Sequence, residues 1–296
     1  MTNFAAELSS QFTVPGLNFH SGEGGLTRAV VATPLCSGEV YLHGAHVTKF
    51  QPAGQQHPVL WLSRESNFAS DKAIRGGVPI CFPWFGPLAS DPKAPAHGTA
   101  RVKSWSLVDA KATDQGGVTL KFTTQIAPFD VAFQVEFSDR LVMSLQVTLD
   151  PSAASSSSFE AALHSYFTVS NIHEISIKGL ETVDYIDKVD HATRKPSTSE
   201  LIRFDGECDR VYLNTSHTCK LDDPGMGRTI HVAKTNSRST IVWNPWIEKS
   251  TRMADFGNDE WTSMVCIETA NVADQAISLS PGQSHHMAAE ISVSKQ

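Results

Sequence analysis

The 296-residue chain is 41% hydrophobic and 19% charged, the balance of a globular protein, with length for one large β domain or two ordinary ones. A formal charge of −7 without a basic run excludes bulk nucleic-acid binding, while two or three local arginines still suffice for a small anion. The five cysteines include no CxxC pair, so neither a disulfide framework nor a zinc site is expected, and no apolar run reaches membrane-spanning length.

The opening MTNFAAELSSQFTVPGLNFH lacks the basic and apolar regions of a signal peptide, and with unpaired thiols this predicts a reducing, cytoplasmic setting. SGEGG lacks the GK[ST] of a phosphate-binding loop and opens no helix. In LHGAH an extended backbone would put His43 and His46 on opposite faces, and the HxH of a cupin metal site is missing. SNFASDKA has room for one short turn. Residues 73–87, AIRGGVPICFPWFGP, combine one arginine, three glycines, three prolines and three large aromatics, far more than a turn requires.

Period-two alternation dominates the remainder of the chain. VTLKFTTQI (118–126), VAFQVEF (131–137), LVMSLQVTL (141–149) and MAAEISV (287–293) read as half-buried strands, because successive side chains point to opposite faces of a pleat. Turn clusters such as QPAGQQHP, TDQGG, DDPGMG and SPGQ separate the runs, and no helical stripe exceeds about three turns. SAASSSS (152–158) reads as a polar loop rather than an interdomain linker, since strand pattern resumes at once. No repeat of solenoid or propeller period occurs. The expectation is an all-β protein, a large antiparallel β-sandwich forming a single domain over residues 1–296.

Several residues admit both a chemical and a structural reading. In LHSYFTV, His164 shares a face with Tyr166 and Thr168. Such a histidine is ordinarily solvated or hydrogen-bonded, but the aromatic two residues on also suits a sugar. In MVCIETANV, Glu268 shares a face with Met264 and Cys266. It is a buried charge with a salt partner, a strand-end carboxylate in water, or a base whose pKa desolvation raises. AHGTARVKSW offers His97 and Arg101 or a plain surface turn. ECDRVYLN offers Asp209 or an exposed ion pair with Arg210. WNPW (243–246) reads as a proline-fixed turn whose indoles pack the core or line a sugar pocket.

Taken in order, IRGGVPICFPWFGP, AHGTAR, LHSYF, DRVYLN and VCIETANV resemble the hexose-6-phosphate mutarotases (glucose-6-phosphate 1-epimerases) of the aldose 1-epimerase superfamily, over residues 40–290. The resemblance implies the galactose-mutarotase-like supersandwich and interconversion of the anomers of a hexose 6-phosphate. It makes His164 the general acid and Glu268 the general base, straddling the anomeric carbon. Asp209 is implied on a sugar hydroxyl, His97 near the ring oxygen, and Arg75 and Arg101 as substrate-binding cations. Trp84, Phe85 and Trp243 are expected to wall the pocket. HGTAR departs from the HGFAR of many relatives at Thr99, and Ala96 stands where some carry glutamine. A metal-independent, cofactor-free monomer is expected, acting on a small sugar phosphate with no nucleic-acid or membrane partner. Other readings are a mutarotase for unphosphorylated aldoses, a glycoside hydrolase using Glu268 and Asp209, or a non-catalytic carbohydrate binder or sensor.

Overall fold

The four alternating segments are strands in the computed structural model, which describes residues 4–295: Val118–Ile126, Phe129–Phe137, Leu141–Leu149 and Ser284–Lys295. Leu141, Met143, Leu145, Val147 and Leu149 are all buried, while Gln146 on the other face is exposed. Burying each such apolar side chain contributes on the order of 1.5–3 kcal/mol, and only a fixed register puts all five on the same side.

These strands belong to an eight-stranded sheet in the order Ser176–Lys178, Cys219–Asp223, Arg228–Thr235, Ser284–Lys295, Leu141–Leu149, Phe129–Phe137, Val118–Ile126, Ser106–Ala112. A second eight-stranded sheet carries the chemistry. Its path is Thr193–Lys195, Tyr185–Asp187, Cys208–Leu213, Ser239–Asn244, Met264–Asn271, Ala161–Leu163 and Ile80–Cys81, with Tyr166–Thr168 also paired to Met264–Asn271. A four-stranded sheet is built from Leu17–Ser21, Thr27–Ala32, Cys36–Tyr41 and His46–Pro52, and Ser157–Phe159 pairs with Ile277–Leu279. All paired strands run antiparallel, which gives the all-β architecture expected from the alternation.

Buried Arg228 stitches the two large sheets together. Its guanidinium donates to the carbonyls of His57, Pro58 and Thr168 at 3.1, 3.1 and 2.8 Å. Every residue of Met264–Asn271 is buried, so this strand is covered on both faces, one by the core and the other by the loops of the site.

Some local expectations change in three dimensions. Gly44 and Ala45 both take positive φ, so LHGAH turns instead of extending. The two rings then act on one segment: His43 Nε2 lies 2.7 Å from the Lys72 carbonyl and His46 Nε2 2.7 Å from that of Gly76. SNFASDKA holds a single hydrogen-bonded turn, Lys72 N to Ala69 O. In WNPW, Pro245 leads directly into a helix, Trp246–Arg252, because a proline with its fixed φ is compatible with a helix start. A second short helix, Phe4–Gln11, was not visible as a periodic stripe. The SAASSSS tract is a loop that passes into strand at Ser157. All five cysteines are free and buried. No helix among the described residues is long and apolar enough to cross a membrane.

Candidate active site

Register brings the two central side chains together. Leu163 pairs with Thr269 and Tyr166 with Cys266, so His164, at the two-residue interruption between its strands, lies across from Glu268. Cross-strand partners on one face approach within side-chain contact. His164 Nε2 is 3.3 Å from Glu268 Oε1, with the side chains only 8% and 1% exposed. The imidazole and the carboxyl group therefore stand side by side.

The same sheet supplies the neighbours. Ile241 pairs with Glu268, Trp243 with Cys266, and Asp209 with Trp243, which sets Asp209 two strands away along the floor. Around them is a cleft of about 290 Å³, lined by Arg75, Phe85, His97, Arg101, His164, Tyr166, Lys188, Asp209, Trp243, Lys249, Met253 and Glu268 among others. A broader trough of about 750 Å³ crosses the outer face of the other large sheet, but Lys103 and Asp130 are its only charged groups among serines, threonines and glutamines. Chemistry, not size, identifies the smaller cleft.

A ring stack holds the imidazole. Tyr166 lies nearly parallel to His164 at 4.7 Å and to Trp61 at 5.6 Å between centroids. Arg75 NH1 donates to the Tyr166 hydroxyl at 3.0 Å, and its Nε and NH2 donate to Asp255 at 3.2 and 3.3 Å. The Arg75 guanidinium thus reaches the cleft with its charge already met by Asp255. His97 enters through a loop of positive φ, its ring 4.7 Å from Phe85 and 5.8 Å from His164. Arg101 donates to the Ala96 carbonyl at 2.7 Å and has no carboxylate within 4.0 Å among the described residues.

Eight of the nine residues singled out in the sequence line this cleft; Trp84 does not. Its indole donates to the Pro95 carbonyl at 3.1 Å and lines a separate apolar hollow with Phe129 and Phe159. The loop bends repeatedly here, and Phe85 faces the cleft while Trp84 turns from it. Lys188 and Lys249 line the cleft without any sequence motif to announce them. Lys188 Nζ is 3.8 Å from Asp209 Oδ1, and Lys249 Nζ is 3.6 Å from Asp209 Oδ2 and 2.7 Å from Glu207. Asp209 does not pair with Arg210, whose side chain projects to the opposite face over Tyr185. Among the described residues no group of three His, Cys, Asp or Glu side chains is arranged to hold a metal ion.

Burial governs protonation here. It pushes His164 well below the usual imidazole range, reinforced by His97, Arg101 and Arg75. It pushes Glu268 well above the carboxylate range, with Asp209 adding to the shift and Lys188 and Arg101 opposing it. His97 is lowered to about 3, chiefly by burial and then by Arg101 and Lys188. Asp209 is raised by burial despite its two lysines. The charged form of His164 is disfavoured, so its ring stays neutral as pH falls through 6.5. In a proton NMR titration, the resonance missing from His164→Asn is expected to hold its position between about pH 7.5 and 5.5, where an unperturbed histidine moves. A midpoint near 6.5 would contradict the electrostatics described.

Comparison with known proteins agrees with this outline. The Aldose 1-epimerase family model matches residues 30–292. An Escherichia coli protein is 35% identical over 90% of both chains, and one from Cenchrus ciliaris is 33% identical over 84% of this chain and 78% of its own. Both bear the name "Putative glucose-6-phosphate 1-epimerase". A solved Salmonella typhimurium structure described as a "putative mutarotase" superposes with a TM-score of 0.87 at 31% identity, covering 95% of each chain. A galactose 1-epimerase from Lactobacillus acidophilus shares the fold, with a TM-score of 0.71 at 12% identity over 94% of this chain and 98% of its own. With the family model spanning most of its length and a buried imidazole–carboxyl pair at the floor of its cleft, this chain belongs to the aldose 1-epimerase family.

Proposed function

We propose that the chain interconverts the α and β anomers of a hexose 6-phosphate, glucose 6-phosphate foremost, through acid–base ring opening and reclosure. The observation that carries this reading is the 3.3 Å contact between His164 Nε2 and Glu268 Oε1 at the floor of a cleft that also holds Arg101, Lys188 and Lys249.

Ring opening requires one acceptor and one donor. An acceptor takes the proton of O1–H, the C1=O bond forms as C1–O5 breaks, and a donor delivers a proton to O5. Rotation about C1–C2 presents the other aldehyde face, and reclosure returns both protons. Burial leaves the resting pair overall neutral with its one shared proton on Glu268, so for Glu268 to act as acceptor and His164 as donor that proton first passes across the 3.3 Å contact to His164 Nε2. Because O1 and O5 sit on one carbon, a side-by-side pair serves both from the same side. Asp209 and His97 are the groups for the sugar's remaining oxygens, with Trp243 and Phe85 as apolar walls. Each positioned acid or base contributes roughly 10²–10⁴-fold.

Exchange NMR on glucose 6-phosphate with catalytic amounts of protein tests the proposal. Anomer exchange is expected to exceed the spontaneous rate in proportion to enzyme concentration. Ligand binding without acceleration would leave a non-catalytic sugar binder, and release of aglycone from a chromogenic glycoside would instead favour the hydrolase.

A further inference from the structure

A working imidazole is ordinarily oriented by a hydrogen bond at the ring nitrogen that does no chemistry. His164 lacks one: its Nδ1 is buried with no hydrogen-bond partner in another residue among the described residues. Nε2 has the 3.3 Å contact with Glu268, which a rotating ring would lose. Of the rings nearby, His97 and Trp243 stand edge-on at 5.8 and 6.2 Å, while Tyr166 lies against the imidazole face, 10° from parallel at 4.7 Å. The orientation of His164 therefore depends on what holds Tyr166.

Two adjacent residues after the helix Trp246–Arg252 brace it. Phe256 packs on Trp61 at 4.9 Å, and Trp61 stacks on Tyr166 at 5.6 Å. Asp255 reaches the phenol hydroxyl through Arg75. Its carboxylate accepts from Arg75 Nε at 3.2 Å and from Nη2 at 3.3 Å, which leaves Nη1 to donate to the Tyr166 hydroxyl at 3.0 Å. A carboxylate gripped by two donors fixes the plane of the guanidinium, and with it the direction of the third. Asp255 and Phe256 do not line the cleft themselves. Their segment is pinned in turn by the Glu260 carboxylate, which accepts from Gly257 N at 2.9 Å and from Ser63 Oγ, two residues beyond Trp61, at 2.7 Å.

We propose that Asp255 is a positioning residue for the acid–base pair: through Arg75 it fixes Tyr166, and through Tyr166 the imidazole of His164. Proton transfer between Glu268 and Nε2 needs the two groups aligned, and a ring free to tilt spends less time in that geometry. The inference rests on the anomerase reading for its kinetic consequence, but not for the orientation of the ring.

The test compares wild type, Asp255→Asn, Tyr166→Phe and the double variant. Asparagine offers one oxygen to the two donors of Arg75, and phenylalanine keeps the ring but loses the hydroxyl. With glucose 6-phosphate, each single variant is expected to lower kcat about tenfold with a smaller change in KM. The double variant is expected to be no slower than the worse single one, because both substitutions cut the same chain of contacts. Asp255→Glu is expected to restore most of the rate. An unchanged kcat, a change confined to KM, or losses that multiply in the double variant would overturn the assignment. A second readout needs no activity. The Tyr166 face shields the His164 ring protons, so the proton resonance missing from His164→Asn is expected to move downfield in Asp255→Asn and to return in Asp255→Glu. An unmoved resonance in folded Asp255→Asn would also overturn the assignment; should that variant fail to fold, Tyr166→Phe cuts the chain at its other end and gives the same two readouts. If wild type does not accelerate anomer exchange yet the resonance moves, the positioning role stands and the activity falls. If wild type is active and neither kcat nor the resonance responds, the positioning role alone falls.

Discussion

Glu268→Gln is expected to lose about 10²–10⁴-fold in kcat for anomer exchange while folding normally. Glutamine keeps the shape of the carboxyl group but neither accepts nor releases the proton that O1 must give up. The variant's stability supplies a second readout. Burial holds the native Glu268 carboxyl above its ordinary range, so the native state retains a proton that the unfolded chain releases once pH passes about 4.3. Glu268 thus adds stability only at low pH, and that contribution is lost as pH rises through the native pKa. Glutamine carries no such titration. The melting temperature of Glu268→Gln relative to wild type is therefore expected to climb as pH rises from about 4.3 toward neutrality. A variant that is inactive and also markedly less stable at neutral pH would mean that Glu268 holds the fold together. One that retains near-wild-type exchange would remove it from the mechanism.

Gly98→Ala is expected to damage stability and activity together. Gly98 has φ of 74°, and a Cβ there would lie 2.0 Å from the Phe82 carbonyl oxygen and 2.7 Å from Pro83 N, both backbone atoms with little room to yield. The left-handed conformation alone costs a non-glycine residue about 1–3 kcal/mol, and relief of the clash moves His97 and Arg101 on either side. Misplacement by about 1 Å in a site can cost roughly 10²-fold in rate. Gly116→Ala is the control: it too has positive φ, 87°, but nothing lies within 4 Å of its Cβ. It should show the backbone cost in its melting temperature and keep normal exchange kinetics. Equal behaviour of the two variants would show that close approach at Gly98 does not position the site.

Much of the site was readable because strand alternation is local. Glu268 with Cys266, and His164 with Tyr166, were assigned to common faces from period two alone, and both assignments hold. The LHGAH reading failed on two positive-φ residues that alternation does not encode. Trp84 was misplaced because a Pro- and Gly-rich loop gives no face to count from. Lys188 was missed for another reason: between Asp187 and Asp190 it looks like part of a solvated turn. Asp187 instead accepts from Lys195 at 2.8 Å, leaving Lys188 to the cleft.

By itself, the sequence determined which segments are strands, which side chains share a face, and which residue types are available for proton transfer. These features derive from pleat geometry and from the chemistry of each residue, neither of which needs a distant partner. Only the tertiary structure decided that His164 stands across from Glu268, that Asp255 neutralises Arg75, and that Lys188 and Lys249 flank Asp209. Contact between residues a hundred positions apart depends on register and loop path, and the same contacts set the burial that shifts the protons of the pair.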